Sequence, residues 1–208
     1  ETDDFGRTWR NVEGSVVELP LTAPENAALV HDYRAEGRNV YMKDLAFDSH
    51  GRPVILSLTS GGWDSGPVND PRTWCTARWR GDAWDILGSI RSDNNYVTGS
   101  LYVESDDLWL IIGPTETGPK AYNTGGEVAM WTTRDQGKTG KLVKQLTRGS
   151  AVHHTYCRKP IAAHAGFYAL WADGHGRHLS RSRLYFCDRE GNVRMLPVKM
   201  EGEEAAPA

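Results

Sequence analysis

The residues with the clearest potential for chemistry stand in one short segment, residues 150–160. Within it, residues 153–158 read His-His-Thr-Tyr-Cys-Arg, and side chains in a β-strand alternate between faces. The spacing therefore predicts that His154, Tyr156 and Arg158 share one face. Such a set can abstract the proton beside a uronate carboxylate, neutralise that carboxylate and help to expel the sugar linked at C4. We take these three residues as candidate catalytic groups; the structural alternative is a strand whose polar groups bond water or one another.

Two other residues of this segment have the chemistry of metal ligands. His153 and Cys157 point to the opposite face in the same interpretation, and their spacing suits a zinc ion. No second His/Cys pair with ligand spacing stands beside them in the sequence, so the metal site is incomplete and we assign none. The sequence requires no cofactor, and a structural calcium or zinc ion would be compatible with it.

Three long polar loops carry the candidate substrate-binding residues. They run from Thr59 to Arg72, from Gly113 to Gly126 and from Ala172 to Ser182, and they are longer than hairpin loops usually are. Aromatic rings beside Asn, Asp and Arg suit sugars, whose CH faces stack on rings while their hydroxyls form hydrogen bonds. We therefore expect the following residues to bind substrate: Trp63, Asn69, Arg72, Tyr96, Asn123, Glu127, Asp173 and His175. The alternative is that the loops are solvated turns.

Two of these candidates also have a specific structural alternative. Arg72 can bind a carboxylate as a bidentate fork, or it can brace its own loop through Asp70. Tyr96 can line the same site as the segment around His154, or it can be a core aromatic residue. Trp63 is the tryptophan that we expect to be exposed, since it lies in a loop while the others mostly fall on strands.

The elements that must position these residues are β-strands. Short apolar runs alternate with turns rich in glycine and aspartate, which predicts an all-β protein. We expect four-stranded units at residues 41–88, 97–147 and 153–197, and the end of a further unit at residues 1–20. Residues 199–208 are small and acidic, which is typical of a disordered tail.

Composition narrows the classes of partner. The chain has 208 residues, of which 39% are hydrophobic and 25% charged, and this suits a globular protein with a core. A net charge of −3 provides no basic field for nucleic acid, and no apolar run approaches a membrane span. Three cysteines are too few for a disulfide framework, and neither the compartment nor the oligomeric state follows from them.

A turn motif occurs twice in the chain. Residues 2–9 read Thr-Asp-Asp-Phe-Gly-Arg-Thr-Trp, and residues 133–140 keep the same spacing but end in Gly140 instead of tryptophan. The aspartates Asp4 and Asp135 can accept hydrogen bonds from backbone N–H groups of their own turns, and the glycines can adopt positive φ. This motif resembles the Asp-box, or BNR repeat, of sialidase-like β-propellers.

Four further sequence segments resemble the BNR-repeat group that includes ulvan lyases, rhamnose-glucuronate lyases and related glycosidases. These segments are residues 73–79, 125–127, 154–160 and 171–176. The resemblance implies a partial β-propeller of about three complete four-stranded blades, belonging to a ring of six or seven, in a C-terminal fragment of a secreted or periplasmic protein. It also implies that the substrate is an acidic polysaccharide or oligosaccharide. By the same resemblance, His154 and Tyr156 would act as acid and base, and Arg158 would neutralise the uronate carboxylate.

Two alternatives stay open at this point. A sialidase-like hydrolase would recruit Arg72, Arg158, Tyr156 and Glu127 around a substrate carboxylate. A propeller that binds glycans or proteins without catalysis would fit the same turns and loops. The first interpretation, a lyase or glycosidase acting on uronate-containing glycans, depends on the three candidate catalytic residues being free to reach a ligand.

Overall fold

The protein consists of three four-stranded antiparallel β-sheets and one short hairpin, in a computed structural model that describes residues 1–202 and 204–208. The hairpin pairs β1 (Trp9–Arg10) with β2 (Val16–Val17). The first sheet contains β3 (Asn39–Phe47), β4 (Pro53–Ser60), β5 (Arg72–Trp79) and β6 (Trp84–Ser92). The second contains β7 (Ser100–Ser105), β8 (Leu108–Glu116), β9 (Glu127–Thr133) and β10 (Lys141–Gln145). The third contains β11 (His153–Arg158), β12 (Ala169–Gly174), β13 (Leu184–Cys187) and β14 (Val193–Met195).

Within each sheet, every strand pairs with the next strand along the chain. The all-β prediction and the antiparallel four-stranded pattern are therefore confirmed. Among the described residues the only helical segment is a single 3-10 turn at Pro67–Asn69, and no described helix has the length and apolar character needed to cross a membrane.

The second sheet is the centre of the molecule because both of its faces are packed. One core joins it to the first sheet and includes Trp74, Leu58 and Trp109, all almost fully buried. The other core joins it to the third sheet and includes Tyr102 and Trp171. Deleting a buried tryptophan side chain typically costs about 3–5 kcal/mol, so these rings set much of the spacing between sheets.

Glycine permits the close approach of the first two sheets. A Cβ atom on Gly99 or Gly113 would stand 2.9 or 3.2 Å from Cη2 of Trp74, within the space the indole occupies. The two glycines let this ring lie directly on the backbone of the second sheet.

The first strands of the three sheets, β3, β7 and β11, lie side by side, and we call them the leading strands. The amide of Leu101 donates to Asp44 Oδ2 at 2.7 Å, which joins β7 to β3. On the other side of β7, the amide of Cys157 donates to the Thr98 carbonyl at 3.1 Å, and the amide of Lys159 donates to Ser100 Oγ at 2.9 Å. Residues 95–105 therefore separate β3 from β11 and hold both in place.

The repeated turn has the same hydrogen bonds in both copies. Asp4 Oδ1 accepts the amide of Thr8 at 2.9 Å, and Asp135 Oδ1 accepts the amide of Thr139 at 2.9 Å. The motif glycines have φ of 84° and 101°. In the first copy the indole Nε1 of Trp9 donates to the Gly6 carbonyl at 3.1 Å, so the ring folds over the turn as its spacing predicts.

The tail differs from the sequence expectation at its end. Ala208 and Met195 exchange two backbone hydrogen bonds, of 2.9 and 2.7 Å, so the last residue pairs with the outer edge of β14. An unpaired strand edge offers backbone groups that even a polar segment can use, and disorder in the rest of residues 199–208 stays a prediction. Residue 203, which the predicted tail includes, lies outside the described residues.

Replacing Gly137 by alanine should test how the second turn is docked. Gly137 has φ of 101°, and a Cβ atom there would collide with Thr76 Oγ1 on β5. We expect Gly137→Ala to lower the free energy of unfolding by about 2–4 kcal/mol, because it combines backbone strain with overpacking. Urea denaturation of both proteins measures the difference.

Gly149→Ala is the matched control. Gly149 also has positive φ, 63°, but a Cβ atom added there would have no other atom within 4 Å. Strain alone should cost about 1 kcal/mol at this position. If both variants lost the same free energy of unfolding, Gly137 would not be closely packed against β5.

Candidate functional site

The loops that join the second and third strands of the sheets meet on one side of the molecule. We call residues 61–71, 117–126 and 175–183 together the loop rim. Arg177 Nη2 donates to Ser65 Oγ at 2.6 Å, which joins the third loop to the first. The Tyr122 hydroxyl donates to Asp70 Oδ2 at 3.1 Å, which joins the second loop to the first. The structure therefore brings loops from all three sheets together.

Arg72 is a brace of this rim and has no free donor face for a substrate. It is 1% exposed. Its guanidinium donates to Asn95 Oδ1 at 2.9 Å, to Asp70 Oδ1 at 2.5 Å and to the carbonyls of Gly66 and Asp64. These contacts favour the structural alternative, in which Arg72 braces its own loop, over its predicted role in substrate binding. Since the ion pair with Asp70 and the bonds to the carbonyls occupy the guanidinium, its role is to order the first loop.

Asn69 has the same kind of role. Its Nδ2 donates to the Asp64 carbonyl at 3.0 Å, across the same loop. Its side chain also fills the space beside Gly62, where a Cβ atom would collide with Asn69 Oδ1. We assign Asn69 to loop structure.

Trp63 and Tyr96 form an exposed aromatic pair. Trp63 is 66% exposed, and Tyr96 is 49% exposed. The Tyr96 hydroxyl donates to the Trp63 carbonyl at 3.4 Å, and the Tyr96 ring packs edge-on against Tyr41 with centroids 5.6 Å apart. Two open rings held side by side in this way are suited to stacking on sugar CH faces.

His154 belongs to a buried hydrogen-bond network. Its Nδ1 accepts from Trp171 Nε1 at 3.1 Å, and indole N–H can only donate. The proton of a neutral imidazole must therefore lie on Nε2, which is 2.9 Å from Ser150 Oγ. Ser150 Oγ in turn donates to Glu127 Oε2 at 2.8 Å. Both ring nitrogens are occupied.

Burial decides the charge states in this network. His154 is 4% exposed, and burial lowers the pKa of its imidazole despite the nearby Glu127 and Asp173. Burial alone would raise the pKa of Glu127, but hydrogen bonds from Thr147 and Ser150 outweigh it and hold that pKa below its ordinary value. A neutral histidine is thus fixed beside an ionised glutamate. Neither group has a free position for a substrate.

Asp173 is occupied as well. Its Oδ1 accepts the amide of Arg183 at 2.6 Å and its Oδ2 accepts the Tyr185 hydroxyl at 2.9 Å. These bonds close the base of the third loop. Glu127 and Asp173 are both buried and hydrogen-bonded, Glu127 to Thr147 and Ser150 in the connection between β10 and β11, so the structure does not favour their predicted role in substrate binding.

A β-bulge changes the orientation of the candidate catalytic strand. Thr155 is opposite Ala172 and Arg158 is opposite Leu170, so two residues, Tyr156 and Cys157, face the single residue between them on β12. One extra residue reverses the alternation of a strand. His154, which is opposite Asp173, and Arg158 consequently lie on opposite faces of the sheet, and the prediction of one shared face is wrong.

The same bulge exposes Tyr156. Its φ is 57°, in the left-handed region that a tyrosine rarely adopts, and its side chain is 60% exposed. Arg158 is exposed too, whereas Cys157 is fully buried between the second and third sheets. Of the three candidate catalytic residues, Tyr156 and Arg158 are available to a ligand and His154 is not.

His153 and Asn123 are buried polar side chains without a hydrogen-bond partner among the described residues. They are 2% and 3% exposed, and all four of their side-chain polar atoms are unpaired. The His153 ring lies against Gly118, and its Cβ atom lies against Gly125. His175, the remaining predicted residue, lies half-buried on the rim, where its Nδ1 accepts the amide of Arg177 at 3.1 Å. The structure thus brings Asn123, His153 and the third loop near one another.

A metal centre at His153 and Cys157 has no support from the geometry. In the part of the chain that the structure describes, the one group whose three ligating atoms approach one another closely is Asp48, His50 and Asp106. Asp48 there already binds Arg52 at 2.8 Å and Arg78 at 3.3 Å. We assign no metal to these residues.

Lys43 is a functional candidate that the sequence interpretation missed. Residues 42 and 44 of β3 are opposite Ser57 and Leu56, neighbouring residues of β4, so Lys43 is the extra residue of a second bulge. Its Nζ donates to the Asn95 carbonyl at 2.6 Å and lies 5.4 Å from the centroid of the Tyr41 ring. The available signal was a Lys-Asp pair that breaks the alternation of an otherwise apolar strand.

The protonation of His154 provides a test of the buried network. We expect nitrogen NMR to find the proton of the His154 ring on Nε2. We also expect the ring to stay neutral as the pH falls through 6.5, the ordinary pKa of histidine, because burial lowers the pKa of His154. The folded state then loses stability as the pH falls below 6.5, since the unfolded chain takes up the proton more readily. His178, exposed on the third loop, is the internal reference. A proton on Nδ1, or a charged ring at pH 6.5, would show that Trp171 does not hold this nitrogen.

Comparison with known proteins gives a fold relationship. No protein-family model matches the chain, and no curated protein matches it by sequence. Among solved structures the chain is similar to an ulvan lyase of a new polysaccharide lyase family, with a TM-score of 0.61, 17% identity and 89% of this chain covered. The same values hold for the ulvan lyase bound to -[GlcA(1-4)Rha3S]-. The chain spans 40% of the length of those proteins. At this identity the likeness shows a shared polysaccharide lyase-like fold.

Proposed function

We propose that this chain is part of a carbohydrate-active protein that binds an acidic, uronate-containing glycan and cleaves it by β-elimination. Tyr156 is the proton-transfer group, and Arg158 neutralises the uronate carboxylate. Trp63 and Tyr96 provide the stacking surface for neighbouring sugars. The fold shared with ulvan lyase supports the class of substrate.

The bulge in β11 is the observation that carries this proposal. A left-handed tyrosine costs on the order of 1–3 kcal/mol, and such strain is concentrated at functional sites. Here the strain turns an aromatic hydroxyl out of the strand, where it is 60% exposed, instead of burying it.

These two exposed residues account for the following step. The carboxylate of the uronate lies against the Arg158 guanidinium, which stabilises the negative charge that develops when the C5–H bond breaks. After Tyr156 has released its phenol proton to solvent, its oxygen takes the C5 proton, a double bond forms between C4 and C5, and the C4–O bond breaks. The departing sugar oxygen then takes that proton from the Tyr156 hydroxyl.

The positions of the carboxylates argue against hydrolysis. Glycosidases usually need a pair of carboxyl groups on either side of the scissile bond. Glu127 and Asp173, the two carboxylates predicted for the site, are buried, and both accept hydrogen bonds from residues of the protein itself. Arg72 is likewise committed to its loop, so the sialidase-like set of arginines and glutamate is not assembled.

A glycan-binding role without catalysis is the second candidate, and His154 is the observation that favours it. If elimination needs a histidine as a separate acid or base, this residue cannot serve, because both of its nitrogens are hydrogen-bonded. The exposed aromatic pair and Arg158 would still bind the glycan. Turnover distinguishes the two candidates.

Tyr156→Phe should reduce elimination while leaving binding intact. The variant keeps the ring and loses the hydroxyl, so we expect turnover of a uronate-containing polysaccharide to fall at least about 100-fold, the usual contribution of a positioned acid or base. The absorbance of the unsaturated product measures turnover, and calorimetry measures binding to the same polysaccharide. The unfolding midpoint should not change, because the side chain is exposed.

Tyr33→Phe is the control, since Tyr33 lies outside the loop rim and the leading strands. It should match the parent in turnover and binding. If the parent protein binds acidic glycans without forming the unsaturated product, the binding-only candidate is correct. If the parent binds no acidic glycan, both candidates fail.

A further inference from the structure

Asn95 connects three parts of the molecule. Its side chain is 2% exposed, and its Nδ2 donates to the Gly62 carbonyl of the first loop at 2.9 Å and to the Tyr41 hydroxyl of β3 at 3.4 Å. Its Oδ1 accepts from Arg72 Nε at 2.9 Å, and its backbone carbonyl accepts from Lys43 Nζ at 2.6 Å. One buried residue therefore fixes the first loop, the ammonium of β3 and the segment before β7 relative to one another.

The same residue brings the Lys43 ammonium close to the exposed aromatic pair. Asn95 Nδ2 also donates to the Trp63 carbonyl at 3.4 Å, and Tyr96 follows Asn95 directly in the chain. Lys43 Nζ lies 5.4 Å from the centroid of the Tyr41 ring, and the centroids of the Tyr41 and Tyr96 rings are 5.6 Å apart. The Tyr41 ring thus contacts both groups, and the ammonium and the two open rings belong to one contact network.

Lys43 has no counter-ion among the described residues. No described carboxylate oxygen lies within 4.0 Å of its Nζ. Asp44, which is next to it in the sequence, accepts the amides of Leu45 at 2.9 Å and Leu101 at 2.7 Å. An ammonium has three N–H donors, and the Asn95 carbonyl accepts one of them. The half-buried ammonium therefore has further donors to offer to a ligand.

Burial gives this cation a reason to bind an anion. It lowers the pKa of the Lys43 ammonium to about 8, and the charge of Arg158 acts in the same direction. A cation held partly out of water without a partner gains free energy when an anion binds beside it. An acidic sugar offers that anion together with CH faces, which stack on aromatic rings. Only a ligand with both features matches the ammonium and the rings together.

We propose that Lys43, Tyr96 and Trp63 form one subsite for an acidic sugar residue, in which the ammonium binds a carboxylate or sulfate group while the rings stack on the pyranose. Asn95 is the positioning residue of this subsite, and Lys43 determines its preference for charged over neutral sugars. This inference rests on the proposed function for the polymer that carries the sugar, whereas the subsite itself can be tested with monosaccharides.

The surroundings of Lys43 define what its protonation can report. The ionisable groups around it and its aromatic neighbours are Tyr41 and Asp44 of β3, Asp64 of the first loop, Tyr96 before β7 and Arg158 of β11. Arg158 is the one of these whose charge lowers the pKa of Lys43. Burial, and next Tyr41, raise the pKa of Tyr96, so a change near pH 8 does not report on that hydroxyl. An oxyanion bound beside Lys43 must raise the pKa of its ammonium.

Carbon-detected NMR titration of the lysine Cε groups tests the subsite, with the Lys43 signal assigned by its loss in Lys43→Arg. Without ligand we expect a midpoint of about 8. Methyl glucuronoside and a sulfated methyl glucoside are the two oxyanion probes, and methyl glucoside is the neutral control. Either oxyanion should raise the midpoint by at least about 0.5 unit, the neutral sugar should not, and the probe with the larger rise identifies the group. No rise with either oxyanion overturns the proposal.

Removing an aromatic partner shows whether the cation and the rings bind one ligand. Trp63→Ala deletes an indole that is 66% exposed, so the fold should not change. We expect the oxyanion concentration that gives half of the Lys43 response to rise at least about threefold, as the loss of a stacking contact predicts. Trp9→Ala, which removes the other exposed indole of the described chain, should leave it unchanged. An equal Lys43 response in Trp63→Ala and the parent would mean that Lys43 binds anions without the rings, which overturns the joint subsite.

Turnover of an acidic polysaccharide separates a role in specificity from a structural one. We expect Lys43→Met to raise KM about tenfold, the value of a lost charge-assisted hydrogen bond, and to change kcat less than about twofold. Lys141→Met, which removes the same charge from an exposed position on β10, should change neither value more than about twofold. Because only the protonated amine binds an oxyanion, KM of the parent should rise as the pH rises through about 8, and Lys43→Arg should remove this dependence.

The outcomes separate the two proposals. If the parent neither binds nor cleaves an acidic polysaccharide but the monosaccharide oxyanions raise the Lys43 midpoint in a way that depends on Trp63, the subsite stands and the proposed function fails. If the parent cleaves the polysaccharide and Lys43→Met behaves as Lys141→Met does, the proposed function stands and the subsite fails.

Discussion

One extra residue in β11 decides which side chains this protein can offer to a ligand. Without the bulge at Tyr156 and Cys157, regular alternation would place His154, Tyr156 and Arg158 on one face. With it, Cys157 is sealed between the second and third sheets, and His154 faces the network of Trp171. Tyr156 and Arg158 are left exposed. The bulge of β3 makes Lys43 the extra residue of its strand, and the Lys43 ammonium donates to the Asn95 carbonyl.

The rest of the structure keeps these bulged strands in place. The second sheet is packed on both faces, and its leading strand is bonded to β3 through Asp44 and to β11 through Ser100. On the loop rim, buried polar groups have the same effect: Arg72 orders the first loop, and Glu127 with Ser150 orders the approach to β11. Buried charges that are fully hydrogen-bonded in this way fix geometry more than they add net stability. An exposed tyrosine and an exposed arginine need a rigid support of this kind if they are to hold one sugar residue.

Periodicity and turn chemistry predicted the strands well because both are local. The turn at Asp135 and Gly137 follows from residues that bond within a few positions of each other. The site was harder to predict from the sequence because its geometry depends on the register between paired strands. Arg72 and Asp173 looked like ligand-binding residues by type, but burial commits them to the loops they brace. No local pattern indicates the bulge of β11, so the sequence could not separate His154 from Tyr156.

A crystal structure of the chain with a uronate-containing oligosaccharide tests most directly whether an acidic sugar residue lies beside β11 with its carboxylate held by Arg158. We expect the carboxylate oxygens to lie within hydrogen-bond distance of the Arg158 guanidinium, with the Tyr156 hydroxyl facing the sugar ring. An oligosaccharide bound elsewhere, such as against Arg38 and Arg91 in the cleft of the first sheet, would contradict this arrangement.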